Sequence, residues 1–394
     1  MLSHRQLFLN NLAQTSPAPL GVEVDKAEGS FLIDPTGKKY VDLISGISVS
    51  NVGHRHPKVV EAIKAQLDRY MHVMVYGEYV LAPQVLLAEK ISSLLPPTLN
   101  CTYFTNSGAE AIEGAMKLAK RVTGKSEIIS FNNAYHGSTQ GALSIMGSEF
   151  FKTSFRPLLP GTKQLPYNDI AAIRNVTDKT ACVIVEPFQG EAGVIEGDAE
   201  FLRALRTRCK EKGALLIYDE IQTGFGRTGK LFGFEYSATI PDVIVFAKGL
   251  GGGLPIGAFV SSKEFMHMLS YDPVLGHITT FGGNPVCCAA ALATINVIEE
   301  EKLAEAAAEK EKHIRDILSS KKIVSLRGKG LLFAAELHDA EKVKAVIMNC
   351  VHNGVIVDWF LFADNALRIA PPLNIETSLL KESLHIINKA IDKI

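Results

Sequence analysis

Asp242-Val-Ile-Val-Phe-Ala-Lys248-Gly-Leu-Gly-Gly-Gly253 joins an apolar run, a single lysine and a glycine-rich turn. Lysine is seldom buried in proteins, yet five apolar residues lead up to this one. Partial burial lowers the pKa of a lysine, and the neutral amine can form a Schiff base with a carbonyl. The alternative is a lysine at a strand end whose ammonium reaches back to water. This stretch alone does not decide between the two.

The stretch lies in a region where short β-rich runs alternate with helical patterns, which predicts an α/β fold with a mostly parallel central sheet. The two ends of the chain differ from this region and are expected to form one smaller α+β domain. We therefore predict a large domain over 49–285 and a small domain built from 1–48 and 286–394. The predicted elements of the central region are strands Cys101–Thr105, Glu127–Phe131, Ala181–Val185, Ala214–Tyr218, Asp242–Ala247 and Gly257–Ser261, and helices Ala109–Arg121 and Glu200–Glu211.

Composition excludes several classes of protein. The 394 residues are 47% hydrophobic and 21% charged with a net charge of −1, so nothing indicates a nucleic acid or an anionic membrane as partner. The sequence has no signal-type leader and no apolar run long enough to span a bilayer. Its six cysteines form no CxxC pair, which is typical of a reduced, cytoplasmic protein.

Residues that could take part in binding or catalysis follow five of the predicted strands. Open α/β sheets bind ligands at the carboxyl ends of their strands, where such residues meet. The residues at these ends are Asn106-Ser107-Gly108-Ala109, Ala134-Tyr135-His136-Gly137, Glu186-Pro187, Asp219-Glu220 and Lys248.

Two of these strand ends have alternative interpretations. Ser107-Gly108-Ala109 opens a predicted helix, so it is either a phosphate cradle or an ordinary N-cap. Asp219 follows a buried run and requires a cationic partner. That partner is either a protonated cofactor nitrogen or, in a structural ion pair, Arg227 or Lys248.

Three other motifs point to different ligands but lack the required context. Gly224-Phe-Gly-Arg-Thr-Gly229 matches a dinucleotide fingerprint, but no helical pattern follows it. Gly124-Lys125-Ser126 lacks the first glycine of a P-loop. Gly53-His54-Arg-His56 has no third ligand at a suitable spacing, so we predict a turn and no metal site.

Several motifs, in order along residues 20–375, resemble class III pyridoxal-phosphate-dependent aminotransferases, the group of the ornithine, acetylornithine, 4-aminobutyrate and ω-amino acid transaminases. The resemblance implies the type I aminotransferase fold, the cofactor pyridoxal 5′-phosphate (PLP) and a homodimer with its sites at the subunit interface. The matching stretches are Gly46–His54, Thr105–Ala111, Tyr135–Gly137, Val185–Glu191, Ile217–Gln222, Gly224–Gly229, Ala247–Gly253, Thr279–Pro285 and Leu367–Leu373.

The resemblance also implies residue roles. Lys248 would hold the cofactor covalently and shuttle a proton, and Asp219 would keep the pyridinium nitrogen protonated. Thr280 would reach the phosphate of the neighbouring subunit's cofactor. The remaining cofactor contacts implied are Ser107, Gly108, Ala109, Tyr135, His136, Glu186, Ile221 and Gln222.

Substrate residues are implied in the same way. Arg368 matches the family's carboxylate-binding arginine, and Glu191 the acid that pairs with it when no α-carboxylate is present; a structural Arg–Glu pair is the alternative. Ser138 departs from the family, because many users of 2-oxoglutarate have arginine there to hold the distal carboxylate. Either another arginine, such as Arg156, replaces it, or pyruvate is the natural acceptor.

The sequence therefore predicts a ping-pong transfer of an amino group from an ω-amino or diamino acid to an α-keto acid. Two alternatives stay open: an amino shift or decarboxylation on the same fold, and a non-catalytic scaffold.

Overall fold

The computed structural model describes residues 2–394. Its strands are β1 Lys26–Glu28, β2 Phe31–Ile33, β3 Lys39–Asp42, β4 Cys101–Thr105, β5 Glu127–Phe131, β6 Thr162–Leu165, β7 Thr180–Val185, β8 Phe188–Gln189, β9 Ile195–Glu196, β10 Leu215–Asp219, β11 Val243–Phe246, β12 Gly257–Ser261, β13 Ser325–Lys329, β14 Leu332–Glu336, β15 Val355–Ile356, β16 Asp358–Phe360 and β17 Ala363–Ile369. Its α-helices are α1 His4–Asn11, α2 Ser45–Ser48, α3 Pro57–Leu67, α4 Ala82–Leu94, α5 Gly108–Thr123, α6 Gln140–Ser144, α7 Ala199–Lys212, α8 Lys263–His267, α9 Pro285–Glu300, α10 Leu303–Ile317, α11 Ala340–His352 and α12 Thr377–Asp392.

A seven-stranded sheet with the order β4-β12-β11-β10-β7-β5-β6 forms the centre of the molecule. All its strands are parallel except β12, which runs antiparallel to both neighbours. Strands β5, β7, β10, β11 and β12 are buried along their whole length, as expected for nearly continuous apolar runs covered on both faces. The predicted α/β class with a mostly parallel sheet is confirmed.

Two four-stranded sheets use the ends of the chain. One has the order β1-β2-β3-β15, in which β15 pairs in parallel with β3. The other is antiparallel with the order β13-β14-β17-β16. The exact domain boundaries at 48 and 285 remain a prediction.

The main difference from the predicted elements is one additional strand, β6, at the edge of the central sheet. The sequence pattern did not indicate β6, because this edge strand reads Thr-Lys-Gln-Leu and only its last residue is buried. Other strand and helix boundaries in the central region moved by two residues or fewer, which is the usual uncertainty at element ends. No helix among residues 2–394 is both long enough and apolar enough to cross a membrane.

Candidate active site

The carboxyl ends of β4, β5, β7, β10 and β11 open into one cavity of about 580 Å³. Twelve of the fourteen predicted site residues line it, and Arg368 and Thr280 do not. The twelve are Ser107, Gly108, Ala109, Tyr135, His136, Ser138, Glu186, Glu191, Asp219, Ile221, Gln222 and Lys248.

Lys248 begins a short 3₁₀ turn that ends at Gly251. Its φ of 45° lies in the left-handed region, where strain in a non-glycine residue is often associated with function. Burial lowers the pKa of Lys248; Glu191 acts in the opposite direction and Arg368 in the same one. The side chain therefore has a larger neutral fraction than an exposed lysine, as a nucleophilic amine requires.

Asp219 is buried at the end of β10 and has a different partner from either predicted ion pair. His136 Nδ1 lies 2.7 Å from Asp219 Oδ2, and the backbone N–H of Ile221 donates to Oδ1 at 2.9 Å. Because a carboxylate only accepts, His136 places its proton on Nδ1. Neither Arg227 nor Lys248 forms a salt bridge with Asp219, so the predicted structural ion-pair alternatives are wrong.

Glu186 is a second buried carboxyl group in the cavity. Burial raises the pKa of Glu186 well above its ordinary value, and the nearby Asp219 raises it further. The backbone N–H groups of Tyr135 and Gly190 approach its two oxygens at 3.4 and 3.3 Å. Ionisation of Glu186 is therefore less favourable beside Asp219 than in an exposed glutamate.

The loop between β4 and α5 forms a close-fitting cradle. Ser107 caps α5, its Oγ accepting from the N–H of Glu110 at 3.2 Å. A Cβ at Gly108 would lie 2.7 Å from Ile221 Cδ1, so the start of the helix packs closely on the side chain of Ile221 in the loop after β10. Free N–H groups at the first turn of a helix suit a phosphate.

Glu191 and Arg368 form a buried pair near the cavity. Arg368 Nη2 donates to Glu191 Oε2 at 2.7 Å, and Gln222 Nε2 donates to the other carboxylate oxygen at 3.3 Å. Burial raises the pKa of Glu191, but Arg368 and Lys248 outweigh it, so the net shift is downward. Arg368 Nη1 has no hydrogen-bond partner among residues 2–394, which leaves a donor for a substrate carboxylate.

Within the described part of the chain, Lys248 is the only lysine or arginine that lines the cavity. Ser138 Oγ lies 3.2 Å from the Tyr135 hydroxyl. Arg156 does not line the cavity; it is half exposed and bonds to Glu149 through Nε at 2.9 Å. Arg156 thus lies outside the cavity of its own chain, and its replacement of the missing arginine stays an untested prediction.

Thr280 is exposed and lies apart from the cavity of its own chain. Several residues that the sequence did not single out contribute instead. Val49 and Ile256 line the cavity, and Asp358 lies 3.3 Å from Arg368 Nε. Asn106, which the sequence placed at the end of β4 without assigning it a role, also lines the cavity. Asp358 could not be found from the sequence, because only the pairing of β16 with β17 brings it to Arg368.

Residues 12–391 match the family model described as Aminotransferase class-III. The chain belongs to the class III aminotransferases. It is 41% identical to the acetylornithine aminotransferase of Methanocaldococcus jannaschii, over 95% of this chain and 94% of that protein. It is 40% identical to the putrescine aminotransferase of Pectobacterium atrosepticum, over 91% of this chain and 80% of that protein. The solved ornithine aminotransferase from Toxoplasma gondii superposes with a TM-score of 0.91 at 29% identity, covering 99% of this chain and 94% of that chain.

Family membership confirms the aminotransferase fold, the transaminase class and the dependence on PLP. It also removes the non-catalytic alternative. The residues fit the cofactor: a helix N-terminus suits the phosphate, buried Asp219 suits a ring nitrogen, and Lys248 lines the same cavity. All three groups are ones that the sequence placed at strand ends.

Proposed function

We propose that this class III aminotransferase takes the terminal amine of a diamino donor, such as ornithine, an N-acylornithine or a diamine, and passes it to an α-keto acid by a ping-pong mechanism. The observation that supports this most directly is the buried Glu191–Arg368 pair. The names of two similar proteins, an acetylornithine and a putrescine aminotransferase, agree with a donor that reacts at a terminal amine.

The pair can serve two kinds of substrate in one pocket. A terminal amine has no carboxylate beside its reacting carbon, so Glu191 stays on Arg368 and, together with Asp358 at 3.3 Å from Nε, neutralises the buried cation. An α-keto acid brings its own carboxylate, which replaces Glu191 and uses the unpartnered Nη1 of Arg368. Alternation between these two states suits a mechanism in which donor and acceptor occupy the site in turn.

The cofactor residues divide the remaining work. Bound PLP supplies an electron sink for negative charge that develops at the substrate carbon. Lys248 Nζ moves a proton at that carbon, and Asp219 holds a proton on the ring nitrogen with His136 fixing its orientation. The Ser107–Ala109 cradle would bind the phosphate. Tyr135, Ile221 and Gln222 line the same cavity, where the resemblance implies that they would contact the two ring faces and the ring oxygen.

For the acceptor, we propose pyruvate in preference to 2-oxoglutarate. Ser138 cannot form a bidentate ion pair with a distal carboxylate, and Arg156 lies outside the cavity. A missing charged hydrogen bond is worth about 1.5–3 kcal/mol, or roughly tenfold to a hundredfold in affinity.

A donor panel tests the function. Purified enzyme is mixed with ornithine, N-acetylornithine, 1,4-diaminobutane, 4-aminobutyrate and β-alanine, each against pyruvate and 2-oxoglutarate. We expect turnover with at least one of the first three donors, and a higher kcat/KM for pyruvate. Lys248→Ala is the inactive control. Activity confined to 4-aminobutyrate and β-alanine, or absent with all five donors, would refute the proposed donor class, and a preference for 2-oxoglutarate would refute the proposed acceptor.

A further inference from the structure

The glycine loop Gly224–Gly229, which matches a dinucleotide fingerprint, contacts the residues that join β13 to β14. The N–H of Leu331 donates to the carbonyl of Arg227 at 3.0 Å. Gly330 has a φ of 57° and packs so tightly on the Gly229 backbone that no Cβ fits. The loop that follows β10, the strand of Asp219, thus contacts the residues that immediately precede β14.

At the centre of this loop, the guanidinium of Arg227 is fully buried and binds only neutral acceptors. Nη1 donates to the carbonyls of Leu331 and Pro371 at 2.9 and 2.6 Å. Nη2 donates to Ser45 Oγ and Asn51 Oδ1 at 3.2 and 2.6 Å. Burial lowers the pKa of Arg227 to about 9, and the nearby carboxylate of Asp42 opposes the shift without forming a salt bridge to the guanidinium. A buried cation without a carboxylate partner stabilises a fold poorly, so its geometric role is the stronger reason for it.

One side of Arg227 is hydrogen-bonded to residues that flank the strand of Arg368 and its neighbour. Leu331 precedes β14 and Pro371 follows β17, and these two strands pair with Ala334 opposite Arg368. Ser45 Oγ also donates to the carbonyl of Ala370 at 2.7 Å. Hydrogen bonds from Arg227 and its acceptor Ser45 therefore hold the chain just beyond Arg368.

The other side of Arg227 reaches the turn of Lys248. Its acceptor Asn51 donates through Nδ2 to the carbonyl of Phe225 at 3.0 Å. The Asn51 side chain also packs on Gly249, leaving no room there for a Cβ. Gly249 directly follows Lys248, so one guanidinium is linked to both the lysine turn and the strand of Arg368.

We propose that Arg227 is a positioning residue that sets the distance between Lys248 and Arg368, and so places the α-carboxylate of the keto acid. The proposal rests on the carboxylate-binding role proposed for Arg368. A lysine at this position would keep the charge, but its three donors radiate from one atom and cannot reach acceptors on both sides.

The test compares the two half-reactions in Arg227→Lys holoenzyme. Single turnover with 1,4-diaminobutane, which has no carboxylate, should stay close to the wild-type rate. Single turnover of the amine-loaded enzyme with pyruvate should fall by roughly tenfold to a hundredfold, the effect of a small misplacement of a binding group. The dissociation constant of pyruvate should rise by a similar factor. It is measured by calorimetry with the PLP-loaded enzyme, which has no amino group to transfer.

Three further variants make the result decisive. Arg206→Lys removes a bidentate pair with Asp242 outside the cavity, so it should lower stability without separating the half-reactions. Arg368→Lys should reproduce the separation. If Arg227→Lys does not fold, Ser45→Ala, which loses two of the contacts, should show a smaller separation in the same direction.

An equal loss in both half-reactions of Arg227→Lys, or an unchanged dissociation constant for pyruvate, would overturn the positioning role. If Arg368→Lys also leaves pyruvate binding unchanged, the proposed carboxylate site fails together with it. A wild-type enzyme that does not react with any diamine refutes only the donor proposal, because the pyruvate titration still reports on Arg227.

Discussion

Asp219 and Glu186 are two buried carboxyl groups in one cavity with different partners. Asp219 accepts from His136 and from a backbone N–H, whereas Glu186 has only two long backbone contacts and a raised pKa. The strand-end rule predicted both positions, because the carboxyl ends of parallel strands meet at one edge. It could not predict the bond between His136 and Asp219, which depends on the packing of side chains 83 positions apart.

Asp219→Asn should retain some PLP but lose turnover by roughly a hundredfold or more, as when one charge-stabilising contact is removed. The amide cannot hold a proton on the ring nitrogen as a carboxylate does. Cofactor absorbance and single-turnover rates measure the two effects separately. Glu220→Gln, next to it but outside the cavity lining, is the matched control. Unchanged turnover in Asp219→Asn would contradict the electron-sink role.

Ser138→Arg should improve kcat/KM for 2-oxoglutarate relative to pyruvate by roughly tenfold, because it adds a charged hydrogen bond to the distal carboxylate. Ser138→Lys is the comparison that adds charge without a bidentate fork. An unchanged ratio of the two acceptors would remove Ser138 from the proposed basis of specificity.

Helix α5 shows why the buried elements at the centre of the molecule could be predicted from the sequence, whereas a polar edge strand could not. The apolar face of α5 and its cap at Ser107 can be recognised from neighbouring residues in the sequence. The strand β12, against which α5 packs, is a buried, mostly apolar run. A polar edge strand such as β6 has no apolar run in its sequence, because most of its side chains are not buried and need not be hydrophobic. The position of Asp358 beside Arg368 is also not encoded locally, because it results from the pairing of two strands.

Gly114→Ala in α5 should destabilise the protein by about 1–3 kcal/mol, as overpacking usually does. Alanine favours helices over glycine by about 1 kcal/mol, but here its Cβ would collide with the ring of Phe259 in β12. Urea denaturation measures the change. Adding Phe259→Leu should recover part of the loss; if the two effects are simply additive, the collision is not the cause.

Glu220 should give the protein a pH-dependent stability. Burial raises the pKa of Glu220 to about 7, while Thr223 and two backbone N–H groups oppose the shift. Below about pH 4.5 the carboxyl is protonated in folded and unfolded chains alike, so the folded state has no disadvantage. As the pH rises through about 7, this side chain should lower the free energy of unfolding by about 3 kcal/mol.

Denaturation of the wild type and of Glu220→Gln between about pH 5 and pH 8 isolates this contribution, since other groups titrate in both. The wild type should lose more stability over this range than the variant. Parallel curves would show that Glu220 is ionised throughout.

At the scale of the whole molecule, Thr280 lies in an exposed apolar segment that includes Val274, Leu275, Ile278 and Phe281. Contiguous exposed apolar side chains mark interaction surfaces. Together with the exposure of Thr280, this segment supports the proposed homodimer, in which Thr280 would contact the cofactor of the neighbouring subunit.

The wild type should therefore have twice the 42.8 kDa mass of one chain in solution. Ile278→Glu should shift it toward the monomer and weaken cofactor binding, because a charge would be buried at the interface. Met348→Glu, at an equally exposed apolar residue on α11, should change neither mass nor cofactor affinity. A monomeric wild type would refute the shared site.

The parallel pair β3·β15 has a consequence for biosynthesis. Val41 lies opposite Val355, so these partners are 314 positions apart along the chain. At translation rates of about 5–20 residues per second, the hairpin β2·β3 leaves the ribosome roughly 15–60 s before β15, the second neighbour of β3, has been synthesised. During that interval the edge of β3 is an open template for strand pairing. Its protection by chaperones, rather than the final stability of the enzyme, is then expected to limit the yield of folded protein in the cell.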